Sequence, residues 1–185
     1  MAADARRETD PMLRHLFPGL TPVDRRGSAL FNALVGEARR EHWFTDGEIP
    51  DTLDGRFAML ATVVALATVR LERGGGAAHD QAVGLAERFV DAMDAEHRQL
   101  GIGEPGIGKT VRRLVGALAR RVELWRGAVE GGVDSGDWTS ATIASLFPGG
   151  PPASPALEHC RAALAELWTR LQNSSDEAIA GGVIG

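Results

Sequence analysis

Apolar residues recur every three to four positions over most of the chain, the period of helices with one buried stripe. The first 27 residues are polar and broken by Pro11, Pro18 and Pro22, with Met12 to Phe17 predicting one short helix. The pattern sharpens at Ser28, a residue type suited to an N-cap. Phe31, Leu34, Val35, Ala38 and His42 then predict a helix to about Phe44. TDGEIPDTLDG reads as a loop, after which Asp51 or Asp54 is expected to cap a helix through Phe57, Leu60, Val64, Ala67 and Leu71. That helix is apolar on every side in its middle, which predicts a central position. The run Thr62-Val63-Val64 would suit a strand, but no turn signals bracket one.

Gly74, Gly75 and Gly76 end this segment, and the next helix is expected from about Asp80 to Leu100, with Ala82, Ala86, Phe89, Val90 and Met93 inward. Glu87, Asp91 and Asp94 line its outer face. After a glycine-rich loop, Val111, Val115, Leu118, Val122, Trp125 and Val129 form the cleanest stripe in the chain, opposite Lys109, Arg113 and Arg120. Asp137 is expected to cap a shorter helix to about Phe147, and Leu157, Cys160, Leu164, Leu167 and Leu171 mark a last long one. With no repeat and no alternating strand pattern, the expectation is an all-α, single-domain helical bundle of about five to seven helices. Residues 1–27 read as a flexible leader, 28–175 as the helical domain and 176–185 as a C-terminal tail.

Composition narrows the function without naming it. A length of 185 residues with 44% apolar content supports one folded domain. A net charge of -5 argues against direct nucleic-acid binding, which calls for a basic field. Cys160 is the sole cysteine, so no internal disulfide forms, as fits a reducing compartment. The apolar run FAMLATVVALATV is shorter than the roughly 20 residues of a membrane span, and the start of the chain lacks the apolar core of a signal peptide. A soluble protein is expected, with contact to a membrane surface left open.

Gly103 to Thr110 reads GEPGIGKT, which fits G-x-x-x-x-G-K-[ST]. In a phosphate-binding loop, backbone N–H groups cradle phosphate oxygens, the lysine reaches the terminal phosphates and the hydroxyl meets Mg²⁺. Such a loop leaves the end of a buried parallel strand. Here FVDAMDAEHRQL precedes it, charged and helically periodic, and no downstream strand supplies a second carboxylate. The alternative is a helix–loop–helix turn. Gly101 then serves as a C-cap, Pro105-Gly106 as a turn, and Gly108 allows close backbone approach. His15, His42, His79, His97 and His159 are scattered without paired cysteines or an HExxH motif, so neither a metal site nor a catalytic residue is expected. His159 and Cys160 are adjacent on a helix and so point to different faces. No cofactor is implied.

With the loop placed between helices, three blocks in fixed order become informative: IPDTLDGRFAML, DAMDAEHRQLGIGEPGIGKTVRRL and ALARRVELWRGAV. Together they resemble the ubiquinol–cytochrome c chaperone family over about Ser28 to Val129. The family pattern reads PDT-x-x-GRF, then D-x-D or DMD with LRE-x-G, then G-x-G-K and a Gly-Arg-x-x-x-Tyr segment. Positions that match it are Asp51, Thr52, Gly55, Arg56, Phe57, Asp91, Met93, Asp94, Arg98, Gly101, Gly103, Gly108 and Lys109. Departures are His97-Arg98-Gln99 in place of LRE, Glu104 in place of the usual aspartate, and the lack of any tyrosine, for which Phe31, Phe44 and Trp125 stand in. SATIASLF occupies the region where the family carries an Asn-rich segment.

The resemblance implies a non-enzymatic assembly chaperone. It would bind newly made cytochrome b and assist biogenesis of the respiratory ubiquinol–cytochrome c reductase, complex III. Its location would be cytoplasmic, with peripheral contact at the inner membrane. A small partner protein and the ribosome are further partners known in the family. The alternatives are an ATP-binding protein using GEPGIGKT and a helical adaptor with another client. The expected partner-binding residues are Asp51, Gly55, Arg56, Phe57, Arg98, Gly101, Gly103, Gly108, Lys109 and Arg112. Arg56 has two readings, an internal ion pair with Asp51, Asp91 or Asp94, or a partner contact. Arg98, Lys109, Arg112 and Arg113 form either a solvated face or a receiver of acidic or phosphate-bearing surfaces. Trp43, Phe44 and Trp125 suit either the core or a hydrophobic nascent segment.

Overall fold

The segment that is apolar on every side lies at the centre of the molecule. A computed structural model describes residues 26–99 and 107–185, with side chains for all of these except 96–99 and 107–111. Eight helices run through the described residues: α1 Ser28–Ala38, α2 His42–Thr45, α3 Leu53–Glu72, α4 Gly76–Gln99, α5 Ile107–Gly131, α6 Gly136–Leu146, α7 Ser154–Asn173 and α8 Asp176–Ala180. No strand occurs among them. The all-α bundle is as expected, and the short α2 and α8 raise the number of helices. Residues 1–25 of the leader, and with them the helix expected at Met12 to Phe17, lie outside the described residues.

Residues 58–69 of α3 are buried on all sides, and α1, α4, α5, α6 and α7 all pack on this helix. Each fully buried branched side chain contributes roughly 1.5–3 kcal/mol, so α3 is the chief source of core stabilisation. Two polar members of the run, Thr62 and Thr68, are satisfied locally, donating to the carbonyls of Ala58 and Val64 at 2.7 and 2.8 Å. At the far end, Arg70 extends from α3 to the end of α7. Its guanidinium donates to the carbonyls of Leu171 and Ser174 and pairs with Asp176 at 2.9 Å. This satisfies carbonyls that the end of α7 leaves free.

The caps sit near the expected positions but on other residues. Gly27, not Ser28, precedes α1, at φ 71°. A side chain there would also meet the backbone of Gly84 and Leu85 on α4, at 2.5–2.9 Å, so glycine serves both the turn and the close approach. Thr52, rather than Asp51 or Asp54, caps α3 by accepting from the Gly55 N–H at 3.2 Å. Ser135, rather than Asp137, caps α6 by accepting from the Trp138 N–H at 3.1 Å. In each case the hydroxyl occupies the residue just before the helix, while the aspartate stands one or two positions away from it.

The first helix does not run to Phe44. It ends at Ala38, and the chain turns so that Trp43 enters the core, where it is fully buried. The Trp43 indole N–H donates to the Glu37 carbonyl at 2.9 Å, an acceptor released by the helix end. Trp125 and Trp138 meet edge to face at 4.9 Å in the core, their N–H groups given to the Ser145 hydroxyl and the Arg161 carbonyl. Trp43 and Trp125 are therefore core residues, not docking aromatics. On α5 the inward position is Leu114, 2% exposed, while Val115, expected inward, is 49% exposed. Residues 176–180, placed by the sequence in a tail, form α8, with Ile179 fully buried.

Candidate functional site

The start of α3, the end of α4 and the start of α5 converge on a groove of about 220 Å³. Leu53, Phe57, Met93, Leu114 and Ala117 supply its apolar lining, with Asp54 and Arg113 also lining it. Leu53 is 43% exposed. Large apolar side chains left in water beside a concave surface mark a binding region more than a packing defect.

The loop leading into α3 shapes one side of this region. Ile49 is buried, which anchors Pro50, and the Thr52 N–H donates to the Pro50 carbonyl at 2.8 Å. Gly55 passes directly beneath that carbonyl: a Cβ there would lie 1.9 Å from the Pro50 oxygen. Asp51 stands outside the cap and accepts from Arg56 Nε at 2.6 Å. That hydrogen bond holds the Asp51 carboxyl below its ordinary pKa, the Arg56 charge adding to it. The pair is 65% and 58% exposed, so it is a surface ion pair, of modest worth to stability. Asp91 instead pairs with Arg88 at 3.2 Å. Phe57 leans on Phe89, ring centres 5.8 Å apart, and Arg121 lies 5.6 Å from its ring centre.

The structure thus gathers Asp51, Gly55, Arg56 and Phe57 at one helix end beside the groove. Arg112 is exposed on α5, next to the groove residue Arg113. Gly101 and Gly103 lie outside the described residues. Arg98, Gly108 and Lys109 are described in backbone only, Arg98 in the last turn of α4 and the other two in the first turn of α5. GEPGIGKT is therefore preceded by a helix, where a phosphate-binding loop requires a strand.

The sequence reading missed Leu53, Leu114 and Arg121. The signal for Arg121 was present. It falls four residues before Trp125 and seven after Leu114, so it is a charge set into a buried stripe.

A second, polar cavity of about 190 Å³ lies between the α1–α2 turn and α7, lined by Glu37, Arg40, His42, His159, Glu166 and Arg170. The two histidines, far apart in sequence, share a hydrogen bond of 2.9 Å between Nδ1 of His42 and Nε2 of His159. Burial lowers the His42 pKa, and the charges of Arg40 and His159 lower it further, against Glu37 and Asp46. Arg170 binds Glu37 at 3.0 Å and the Ile184 carbonyl at 3.1 Å, tying the end of the chain to α1. No group of three or more His, Cys, Asp or Glu side chains suited to a metal occurs among the described residues. Nor is any described helix long and apolar enough to cross a membrane.

The family model described as "Ubiquinol-cytochrome C chaperone" matches residues 45–184, past the end of the blocks read from the sequence. The crystal structure of the Cbp3 homolog from Brucella abortus superposes with a TM-score of 0.74 at 24% identity, covering 92% of this chain and 93% of that one. At that identity it shows a shared fold. No curated protein matches the chain.

Proposed function

Since the chain belongs to the ubiquinol–cytochrome c chaperone family, we propose that it holds newly made cytochrome b during assembly of the ubiquinol–cytochrome c reductase. The observation that carries this reading is the apolar groove at the junction of α3, α4 and α5, with Leu53 exposed beside it and charged residues around it. A nascent membrane protein presents apolar side chains to water until it is inserted. A concave apolar surface shields some of them reversibly, because burial is favourable in proportion to area and needs no fixed geometry. The charged surround, including Asp51, Arg56, Asp54 and Arg113, keeps the empty chaperone soluble and limits which segments fit.

In this reading Gly55 and Phe57 shape the groove, while Asp51, Arg56 and Arg112 contact the client or a small partner protein. Arg98, Gly101, Gly103, Gly108 and Lys109, which match the family pattern, are further partner-binding residues in this reading. The protein works from the cytoplasmic side, with peripheral contact at the inner membrane where the client inserts. The nucleotide-binding alternative has no observation in its favour. The decisive experiment is deletion of the gene in its host, read by b-type haem absorbance and ubiquinol–cytochrome c reductase activity. Both are expected to fall, and both to return with the wild-type gene. Unchanged haem and activity would refute the assignment and leave the adaptor with another client.

A further inference from the structure

Burying a charged side chain is tolerable when a counter-charge is buried with it. Six arginines are half-buried among the described residues: Arg70, Arg88, Arg121, Arg126, Arg161 and Arg170. Five of them carry a carboxylate partner, respectively Asp176, Asp91, Glu72, Glu158 and Glu37 for all but Arg121. Arg121 has no carboxylate partner among the described residues. Its Nη2 donates to the Ser145 carbonyl at 3.3 Å, a long contact, and its guanidinium lies over Phe57. Its Nε is buried without a partner. The same is true of Nε in Arg88, Arg161 and Arg170, but those side chains hold an acid through another nitrogen. Burial, and after it the like charge of Arg120, pushes the Arg121 pKa down.

The position adds direction. Arg121 follows Ala117 by one helical turn, so it extends the α5 wall of the groove, and it covers the ring of Phe57, which forms the α3 wall. A cation without a counter-ion at the end of an apolar groove defines what fits: an apolar segment with an acid at one end. We propose that Arg121 is the anion-receiving end of the groove and takes a side-chain carboxylate from the segment whose apolar residues fill the rest. This rests on the client-holding reading above and supplies its charge rule. The fork geometry of a guanidinium matches a planar carboxylate. A carboxylate on a flexible side chain also reaches a recessed cation, which a phosphate fixed at a bilayer surface does not.

The test uses the full chain, labelled with ¹⁵N, and follows the Arg121 Nε–H resonance with Arg70, already paired, as internal control. Sodium acetate is expected to shift Arg121 saturably and Arg70 not at all, where sodium chloride of equal ionic strength does neither. Vesicles containing phosphatidic acid, whose phosphate is fixed at the bilayer, are expected to leave the Arg121 resonance unmoved. In a second arm, a fluorescent Leu/Phe-rich peptide with one Glu is expected to bind about tenfold more tightly than its Gln counterpart, a factor worth about 1.4 kcal/mol. Arg121→Gln and Arg121→Met should abolish that preference while keeping the Gln peptide's affinity. Arg121→Met should also melt at or above the wild-type temperature, because a site kept for a ligand costs stability when empty. An Arg121 resonance that follows ionic strength alone, a shift with phosphatidic acid vesicles, equal affinity for the two peptides, or a lower melting temperature for Arg121→Met would each overturn the proposal. If the acetate and peptide results hold while gene deletion leaves cytochrome b haem intact, the anion site stands and the cytochrome b assignment falls.

Discussion

Gly55→Ala is expected to destabilise the protein, against the ordinary rule for helices. Alanine is favoured over glycine in a helix by about 1 kcal/mol, and Gly55 lies in the first turn of α3. The added Cβ, however, would sit 1.9 Å from the Pro50 carbonyl oxygen and 3.0 Å from its carbon. Backbone, not a flexible side-chain tip, must therefore move by more than an ångström. The buried Ile49 behind Pro50 resists that movement, and the Thr52 cap on Gly55 N–H is displaced with the loop. Overpacking costs about 1–3 kcal/mol and a lost cap about 1 kcal/mol, so the net expectation is a loss of roughly 1–3 kcal/mol. Gly127→Ala is the matched control. It is exposed on α5 with nothing within 4 Å of the new methyl group, and should gain roughly 0.5–1 kcal/mol. Urea unfolding followed by tryptophan fluorescence measures both, since Trp43, Trp125 and Trp138 are 0% exposed and Trp168 3%. A Gly55→Ala midpoint at or above wild type, with unchanged slope, would refute the reasoning and leave Gly55 without a structural requirement.

Leu53→Asp changes an exposed groove residue and should shift stability by no more than about 0.5 kcal/mol, while cross-linking of cytochrome b to the protein in the host falls sharply; retention of cross-linking would place the client elsewhere. Arg56→Gln should leave the unfolding midpoint near wild type, because its pair with Asp51 is solvent-exposed, yet lower b-type haem in the host. Below pH 6.5 the wild type should lose stability as acid is added, because the unfolded chain takes up a proton that folded His42, its pKa lowered by burial, resists. The stability is whole above that pH and drains through the window below it. Thermal melts of His42→Gln between pH 5 and 8 should show a shallower dependence, and an unchanged slope would assign the effect to other groups. Millimolar Mg-ATP should leave the melting temperature of the wild type and of Lys109→Ala alike, whereas a nucleotide at 100 times its Kd would add about 2.7 kcal/mol.

Period and composition were enough to read the long helices, because each buries one continuous stripe against α3. Boundaries were less legible where a tertiary contact sets them. GEARREHWF keeps helical spacing through the end of α1, and only the burial of Trp43 shows why the chain turns there. Val115 and Leu114 are equally apolar neighbours, and which one faces inward depends on the angle at which α5 meets α3 and α4. The block containing Asp51, Gly55, Arg56 and Phe57 was legible because its residues are consecutive and sit at one helix end. The apolar lining around them was not, since Leu53, Met93 and Leu114 come from three helices. The His42–His159 pair joins positions 117 residues apart, and no local pattern announces it.

Cys160 gives the bundle a built-in clock. Its thiol is fully buried on α7, 3.6 Å from the Gly47 carbonyl, and burial pushes its pKa up to about 12. The thiolate that alkylating reagents need is therefore scarce at neutral pH, and the closed protein shields what there is. Modification then proceeds only during excursions that part α7 from the turn before α3, so its rate counts those openings. A cysteine introduced on the exposed surface, at Leu53 for example, would react first, allowing a dye to be attached at the groove with the native thiol left in place.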